Sequence, residues 1–138
     1  NHKANLDSFV NGWFKTGDQG FYDKEGFLQL TGRIKEIINK GGEKISPLEI
    51  DGAIMEHSSV FQCLSFPITH SKLGEDIAAA VVLKDSHKIT EQELKEFLSK
   101  KLASFKIPQT IIFLKEIPKG KTGKLQRIGL ANKLGLVK

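Results

Sequence analysis

The sequence predicts an α+β fold, in which a small three-stranded sheet is flanked by helices and preceded by a β-hairpin. Short apolar runs at 60–68, 77–83 and 110–114 have the length and the content of β-forming residues that are typical of strands. Ser46 and Thr90 each begin a segment with the signals of a helix start. Apolar residues on both sides of "DKEG" indicate the hairpin.

The hairpin covers Gly20 to Arg33, with Asp23 and Gly26 in its tight turn. A two-stranded ribbon is only marginally stable alone, so its apolar face needs another surface to cover it. Further aromatic side chains in this region need the same cover: Phe9, Trp13, Phe14 and Phe21. We therefore expect residues 1–34 to be the C-terminal edge of a larger neighbouring domain.

Residues 35–138 form the second predicted region, a small domain of its own. The Gly41-Gly42 pair predicts a sharp turn, because glycine adopts backbone conformations that are closed to other residues. Ser46, Pro47 and Glu49 follow as N-cap, first helical position and the third residue of a capping box. A helix is therefore expected from residue 47 onward.

The rest of this domain alternates strands and helices. The runs 60–68 and 77–83 are expected to be antiparallel neighbours, separated by a polar loop. Thr90 and Glu93 repeat the capping-box signal, and the following helix can connect the second strand to a parallel third strand at 110–114 by a right-handed crossover. A last amphipathic helix is predicted over 125–134, weakened by Gly129 and ended by Gly135.

Composition narrows the class of protein. The chain has 138 residues, 39% of them hydrophobic and 27% charged, with a net charge of +5 that suggests an acidic partner. No apolar run approaches the roughly 18 residues that cross a bilayer, and we expect a soluble, cytoplasmic protein. Cys63 is the only cysteine and is expected to be buried and inert. The four histidines are scattered, so no metal site is predicted.

The stretch "PKGKTGKLQR", residues 118–127, combines four cations and two glycines. It is not a phosphate loop of the nucleotide triphosphatases, because Leu125 follows Gly123-Lys124 where Ser or Thr is needed and Pro118 replaces the first glycine. Three interpretations remain for it alone: a solvated basic loop, a nucleic-acid patch, or a loop that delivers one lysine to a phosphate bound elsewhere.

Three spaced motifs make the chain recognisable. "GWFKTGD" at 12–18, "GRIKEIINKGGEKISPLEI" at 32–50 and "PKGKTGKLQR" at 118–127 together resemble the C-terminal part of adenylate-forming enzymes, which include acyl-CoA synthetases, peptide-synthetase adenylation domains and luciferases. "GGEKISPLEI" and "ASFKIP" (103–108) resemble the branch with the coumarate and oxalate CoA ligases. The family's large N-terminal domain, with its phosphate loop and acyl pocket, would precede residue 1.

The resemblance implies an activity for the longer enzyme. Family members activate a carboxylic acid with ATP to an acyl-adenylate and then transfer the acyl group to a thiol, usually that of CoA. Between the steps the C-terminal domain acts as a mobile lid and rotates about a hinge, which is a known way to present two surfaces to one pocket. Mg²⁺ is expected to accompany ATP and not to be bound by this chain. The implied partners are the N-terminal domain, ATP or AMP, CoA and a carboxylic acid.

The resemblance also assigns roles near the first two motifs. Asp18 matches the aspartate that accepts hydrogen bonds from the ribose hydroxyls of the adenylate, a geometry that suits a carboxylate. Arg33 matches an arginine that approaches the ribose and phosphate. Lys35 falls on the hinge position, where it contributes backbone rotation and not chemistry.

A second group of residues matches positions that contact CoA. Gly41 and Gly42 correspond to the turn that lines the pantetheine tunnel, and Phe105 to an aromatic residue that stacks on the CoA adenine in some ligases. Ile107 stands where some relatives have an arginine for the CoA phosphates, so this role falls to Lys106 or to other cations.

Lys124 matches the catalytic lysine. The resemblance implies that it reaches the carboxylate and the α-phosphate during adenylation and stabilises the charge that develops as pyrophosphate leaves. Its neighbours Gly120 and Gly123 are expected to keep the loop mobile. Lys119, Lys121 and Arg127 are expected to be auxiliary or surface charges.

Two other functions stay open at this stage. The chain could be the lid of an adenylation domain that loads a carrier protein, with Gly41-Gly42 facing a tethered pantetheine. It could also be a small basic domain that binds RNA or DNA, although no nucleic-acid motif is present and exposed aromatics do not alternate with the cations.

Overall fold

The computed structural model describes residues 7–136. Two compact units make up the chain, residues 1–35 and residues 36–138. Each is described separately below, and the helices and strands are those of the described residues.

The first unit consists of two antiparallel strand pairs. β1 (Phe9–Val10) pairs with β2 (Trp13–Phe14), and β3 (Asp18–Tyr22) pairs with β4 (Leu28–Arg33). The second pair confirms the predicted hairpin. Asp23 closes its turn, since Oδ1 accepts hydrogen bonds from the backbone N–H groups of Glu25 and Phe27, and the left-handed Gly26 completes it. Most of the large apolar side chains in this unit are exposed: Trp13, Phe14, Phe21, Tyr22, Phe27, Leu28 and Leu30.

The second unit begins with a tight hairpin. β5 (Ile38–Lys40) and β6 (Glu43–Ile45) pair antiparallel through Gly41 and Gly42, whose φ angles are 60° and 94°. Two consecutive residues at positive φ are typical of the turn that matches the twist of two-residue hairpins. The predicted sharp turn is therefore confirmed, and its reason is the conformational freedom of glycine.

Helix α1 (Pro47–Met55) begins where the sequence predicts, but without the predicted capping box. Ser46 is the N-cap residue and makes no side-chain cap hydrogen bond. The Glu49 carboxylate bonds the ammonium of Lys106 instead, at 2.7 and 2.8 Å. A long-range ion pair thus replaces the local bond that the sequence pattern favours.

Two long strands form the centre of this unit. β7 (Val60–His70) and β8 (Gly74–Leu83) are antiparallel neighbours, as predicted, and both are longer than the apolar runs that indicated them. β7 lies at the edge of the sheet. An edge strand has only one neighbouring strand to bond. It therefore tolerates Pro67, which has no backbone N–H to donate.

The sheet is completed across a helical connection. Helix α2 (Glu91–Ser99) starts with the predicted capping box, in which Thr90 and Glu93 bond each other's backbone N–H groups. It leads to β9 (Thr110–Phe113), which pairs parallel with β8. This confirms the predicted parallel pairing.

The sheet has five strands and not the predicted three. Its order is β6-β5-β8-β7, with β9 also paired to β8. The α+β class is confirmed, but sequence reasoning missed β5 and β6. Each has only three residues, too few to show the alternation that indicates a strand.

The last predicted helix is wrong in extent. α3 covers only Leu130–Lys133 and not residues 125–134. Gly129 has φ 80°, a left-handed conformation that ends any regular helix coming from its N-terminal side. Residues 125–128 instead continue the loop and bring Arg127 into the interior.

Apolar side chains cover both faces of β8. Ile77, Ala79 and Val81 join a cluster with α1 and α2, and the alternate residues join a second cluster with Phe66, Ile117 and Leu130. The strand is therefore a near-continuous apolar run, because alternate residues point to two different buried faces.

Cys63 belongs to the first cluster and is 7% exposed. Burial, followed by the charge of Asp51, raises the pKa of its thiol to about 12. The thiol is therefore protonated at neutral pH, which confirms the predicted buried and inert cysteine. Among residues 7–136, no helix has the length and hydropathy needed to cross a bilayer.

Candidate functional site

Asp18 and Arg33 lie together in the first unit. They are paired in register at the open end of the β3–β4 hairpin, and Nε of Arg33 is 3.2 Å from Oδ1 of Asp18. The backbone N–H of Asp18 donates to the hydroxyl of Thr16. An ionised carboxylate has about four lone-pair sites, so the ion pair leaves Asp18 capacity to accept from two hydroxyl groups.

Lys35 lies at the boundary between the two compact units, which falls between Lys35 and Glu36. It is exposed and occupies a 3₁₀ turn, Ile34–Glu36. Short 3₁₀ segments often mark a hinge, and this position is compatible with that role.

Gly41 and Gly42 are exposed at the tip of the β5–β6 hairpin. The backbone N–H of Gly41 donates to the carbonyl of Leu73, and a Cβ at Gly41 would lie 3.1 Å from Cδ2 of that leucine. A Cβ at Gly42 would meet no atom within 4 Å. The surface beside Gly42 is thus open to an approaching group.

Phe105 and Lys106 occupy a 3₁₀ turn, Ser104–Lys106. The Phe105 ring is 41% exposed, and the Lys106 ammonium lies 5.8 Å from its centre. Both carboxylate oxygens of Glu49 hold that ammonium. Lys106 is therefore already partnered, whereas the Phe105 face is accessible for stacking.

Lys124 lies in an ordered turn. Lys119 and Leu125 form an antiparallel bridge, and the N–H of Gly120 donates to the carbonyl of Lys124 at 2.8 Å. Gly123 has φ 76°, whereas a Cβ at Gly120 would meet only the flexible side chain of Gln126. The backbone conformation explains Gly123, so its presence does not by itself indicate mobility.

The cations of residues 118–127 differ in their partners. Lys119 pairs with Glu116 at 3.1 Å, and Arg127 is held by carboxylates. Within residues 7–136, no carboxylate lies within 4.0 Å of the ammonium of Lys121 or Lys124. Lys124 is exposed, so its ammonium is accessible to an anion.

Arg127 is not the surface charge that the sequence suggested. Its side chain is 8% exposed, with Nε 3.0 Å from Glu36 and Nη1 2.7 Å from Asp51. Nη1 also donates to the backbone carbonyl of Ser65 at 2.9 Å. Sequence reasoning missed this cluster because its members are up to 91 positions apart and no local pattern joins them.

Three different turns of the second unit carry its predicted site residues. Among residues 7–136, no hydrogen bond or ion pair links the turn around Lys124, the Phe105–Lys106 turn and the Gly41-Gly42 tip to one another. Nor do these residues, or Asp18 and Arg33, line either of two surface depressions. One depression runs beside Phe61 and Phe113, and the other beside Ile68 and Gln109.

The described residues also contain no group of three or more His, Cys, Asp or Glu side chains arranged to hold a metal ion.

Comparison with known proteins identifies the family. The model of the AMP-binding enzyme C-terminal domain matches residues 49–124. Oxalate–CoA ligases of Saccharomyces cerevisiae and Arabidopsis thaliana are 50% and 45% identical, over 92% of this chain and 24% and 25% of their own lengths. The chain thus spans about a quarter of the length of these relatives.

A solved structure supports the same family assignment. The o-succinylbenzoate CoA synthetase of Bacillus subtilis, in complex with its acyl-adenylate intermediate, superposes with a TM-score of 0.86 at 35% identity. The match covers 94% of this chain and 26% of that one. The resemblance stated from three sequence motifs is therefore confirmed, and the chain belongs to the family of AMP-binding enzyme C-terminal domains.

Proposed function

We propose that residues 35–138 are the mobile lid of an ATP-dependent carboxylate–CoA ligase and that residues 1–34 are the edge of its large domain. The longer enzyme forms an acyl-adenylate and then a CoA thioester. The exposed apolar side chains of the first unit support the second part of this proposal, because patches of this kind mark surfaces that a neighbour covers.

The observation that carries the proposal is the position of Lys124. It is exposed, has no carboxylate partner among the described residues, and is presented by a turn with a hydrogen-bonded base. A compact ammonium on a long side chain can follow an α-phosphate through the reaction. Lys124 then stabilises the negative charge that develops as the carboxylate attacks and pyrophosphate leaves.

Asp18 and Arg33 hold the nucleotide in this proposal. The carboxylate of Asp18 accepts from the ribose hydroxyls, and the guanidinium of Arg33 fixes the carboxylate and approaches the phosphate. Lys35 supplies the hinge. Mg²⁺ arrives with ATP and takes no ligand from this chain.

The acceptor is CoA, whose slender arm passes the open surface at Gly42 and whose adenine stacks on Phe105. Lys106 is engaged by Glu49, so it can meet the CoA phosphates only by leaving that ion pair. An assay of the full-length enzyme with free CoA and with a pantetheine-bearing carrier protein separates a CoA ligase from the alternative adenylation domain.

The full-length enzyme with Lys124→Ala tests the function. Carboxylate-dependent exchange of pyrophosphate into ATP should fall about a hundredfold to a thousandfold, as when one well-placed electrostatic group is lost. Thioester formation from supplied acyl-adenylate should stay near the wild-type rate. Lys121→Ala is the matched control, because Lys121 is an exposed cation of the same turn, and it should change neither step. Equal losses in both steps for Lys124→Ala would overturn the proposal.

A further inference from the structure

The cluster around Arg127 joins two segments that the proposed function treats separately. Glu36 is the first residue of the second compact unit and follows the hinge residue Lys35. Arg127 lies three residues after Lys124. Its Nε donates to Oε2 of Glu36 at 3.0 Å. One side-chain bond therefore connects the start of the lid to the base of the turn that carries the catalytic lysine.

Other partners hold a second nitrogen of the guanidinium. Nη1 lies 2.7 Å from Oδ2 of Asp51 on α1 and donates to the carbonyl of Ser65 on β7. Asp51 is itself held, since its Oδ1 accepts from the N–H and the hydroxyl of Ser65, both at 2.7 Å. This side of the cluster is bonded to a helix and to the sheet, so it forms a rigid base.

The chain between Arg127 and Lys124 is short. Three residues reach at most about 10 Å when fully extended. Wherever the lid moves, the backbone of Lys124 must stay close to Arg127. The position of Arg127 relative to Glu36 therefore limits where the lysine can be presented.

We propose that Arg127, through its bond to Glu36, is a positioning residue that fixes the Lys124 turn relative to the hinge, so that lid rotation carries the lysine to the reacting phosphate in one defined geometry. This inference rests on the proposed function, because it acts through Lys124. Arg127 itself touches no reacting atom in this scheme.

Burial of the Arg127–Glu36 pair, whose side chains are only 8% and 24% exposed, has an energetic cost that argues for such a role. Taking a charge out of water is expensive, and a buried ion pair adds little net stability compared with apolar side chains of the same size. An ion pair provides what an apolar contact does not, namely a directional bond with one preferred geometry. This property suits a positioning role.

The test uses the full-length enzyme with Glu36→Ala. This change removes the acceptor of the Arg127 Nε–H bond, while Arg127 retains Asp51 and Ser65, and a thermal melt checks that the variant is folded. Exchange of pyrophosphate into ATP should fall about tenfold, since small misplacement of a catalytic group is costly. Thioester formation from supplied acyl-adenylate should stay within about twofold. Glu116→Ala, at the exposed Lys119 pair beside the same turn, is the matched control and should change neither rate.

A double-mutant cycle with Lys124→Ala separates positioning from general structural support. If Glu36 acts through Lys124, Glu36→Ala should have less than about a twofold further effect on exchange once the lysine is absent. An undiminished further loss, or an equal loss in both half-reactions that parallels a lower melting temperature, would overturn the positioning role. Failure of Lys124→Ala to reduce exchange would instead overturn the proposed function, so the two failures are distinguishable.

Discussion

Asp18 and Arg33 form an ion pair across the ends of two neighbouring strands, with 3.2 Å between Oδ1 and Nε. The Arg33 side chain is 68% exposed, and ion pairs this open to solvent contribute at most about 1 kcal/mol to stability. The contribution of this ion pair to the folding stability of the protein therefore does little to explain its presence. The pair does orient the Asp18 carboxylate, and this is the arrangement that our proposal uses for nucleotide binding.

We expect Asp18→Asn in the full-length enzyme to raise the KM for ATP about tenfold, because the amide replaces one acceptor oxygen by a donor and each charge-assisted hydrogen bond contributes about 1.5–3 kcal/mol. The melting temperature should hardly change. Steady-state kinetics with ATP as the varied substrate, together with a thermal melt, provide the check. Asp85→Asn, an exposed carboxylate after β8, is the control. An unchanged KM would remove Asp18 from the nucleotide site.

Lys35→Pro should slow thioester formation more than adenylation. Proline fixes φ and disfavours helical backbone at the residue before it, here Ile34 in the 3₁₀ turn, so it should restrict rotation at the unit boundary. Lys35→Ala removes the same side chain but keeps the backbone freedom, and both half-reactions should then stay near wild type. The two rates are measured separately, and a proline effect of the same size on both would contradict a hinge here.

Gly42→Ala tests the CoA surface. The backbone at Gly42 has φ 94° and open space around it, so alanine should cost about 1–2 kcal/mol of stability through strain alone. Gly26→Ala has the same open space and a φ of 86°, and so matches the strain at a turn that contains none of the predicted CoA residues. We expect only Gly42→Ala to raise the KM for CoA. Equal effects of the two variants on the KM for CoA would show that Gly42 acts only as a turn residue.

Acid stability should depend on Glu91 at the start of α2. The hydrogen bond from Lys95, aided by the N–H of Ile111, lowers the pKa of this carboxyl below its usual 4.5. A lowered folded-state pKa gives stability that is present above about pH 4.5 and lost as the pH falls through the folded value. Urea unfolding from pH 6 to pH 3 should show a smaller loss for Glu91→Gln than for wild type, with a difference below about 1 kcal/mol. Lys95→Met should reproduce this change, and parallel curves for all three proteins would contradict it.

Sequence reasoning was most successful where one local signal determines the structure. The turn at Gly41-Gly42 and the capping box of Thr90 follow from backbone freedom and a four-residue pattern. The same logic gave a wrong capping box at Ser46, because Lys106, 57 positions away, competes for Glu49. Local patterns carry no information about such a competitor.

In the candidate site, too, local motifs were informative and long-range contacts could not be predicted. Asp18, Arg33 and Lys124 were selected by motifs and lie on exposed positions or strand ends where a ligand could reach them. Their roles stay predictions. Arg127 belongs to one of those motifs and was still assigned to the surface, because its burial depends on Glu36, Asp51 and Ser65 from three distant segments.

The central strand β8 has a consequence for synthesis of the protein. It pairs with β9, and one of its faces is covered by Ile117 and Leu130, all of which are translated after it. While the ribosome adds these residues, the nascent chain carries an apolar strand with one uncovered face and an unpaired edge. A messenger truncated after the codon for Gln109 would remove β9, Ile117 and Leu130 together and make this state permanent, and its product would be a substrate for chaperones and proteases.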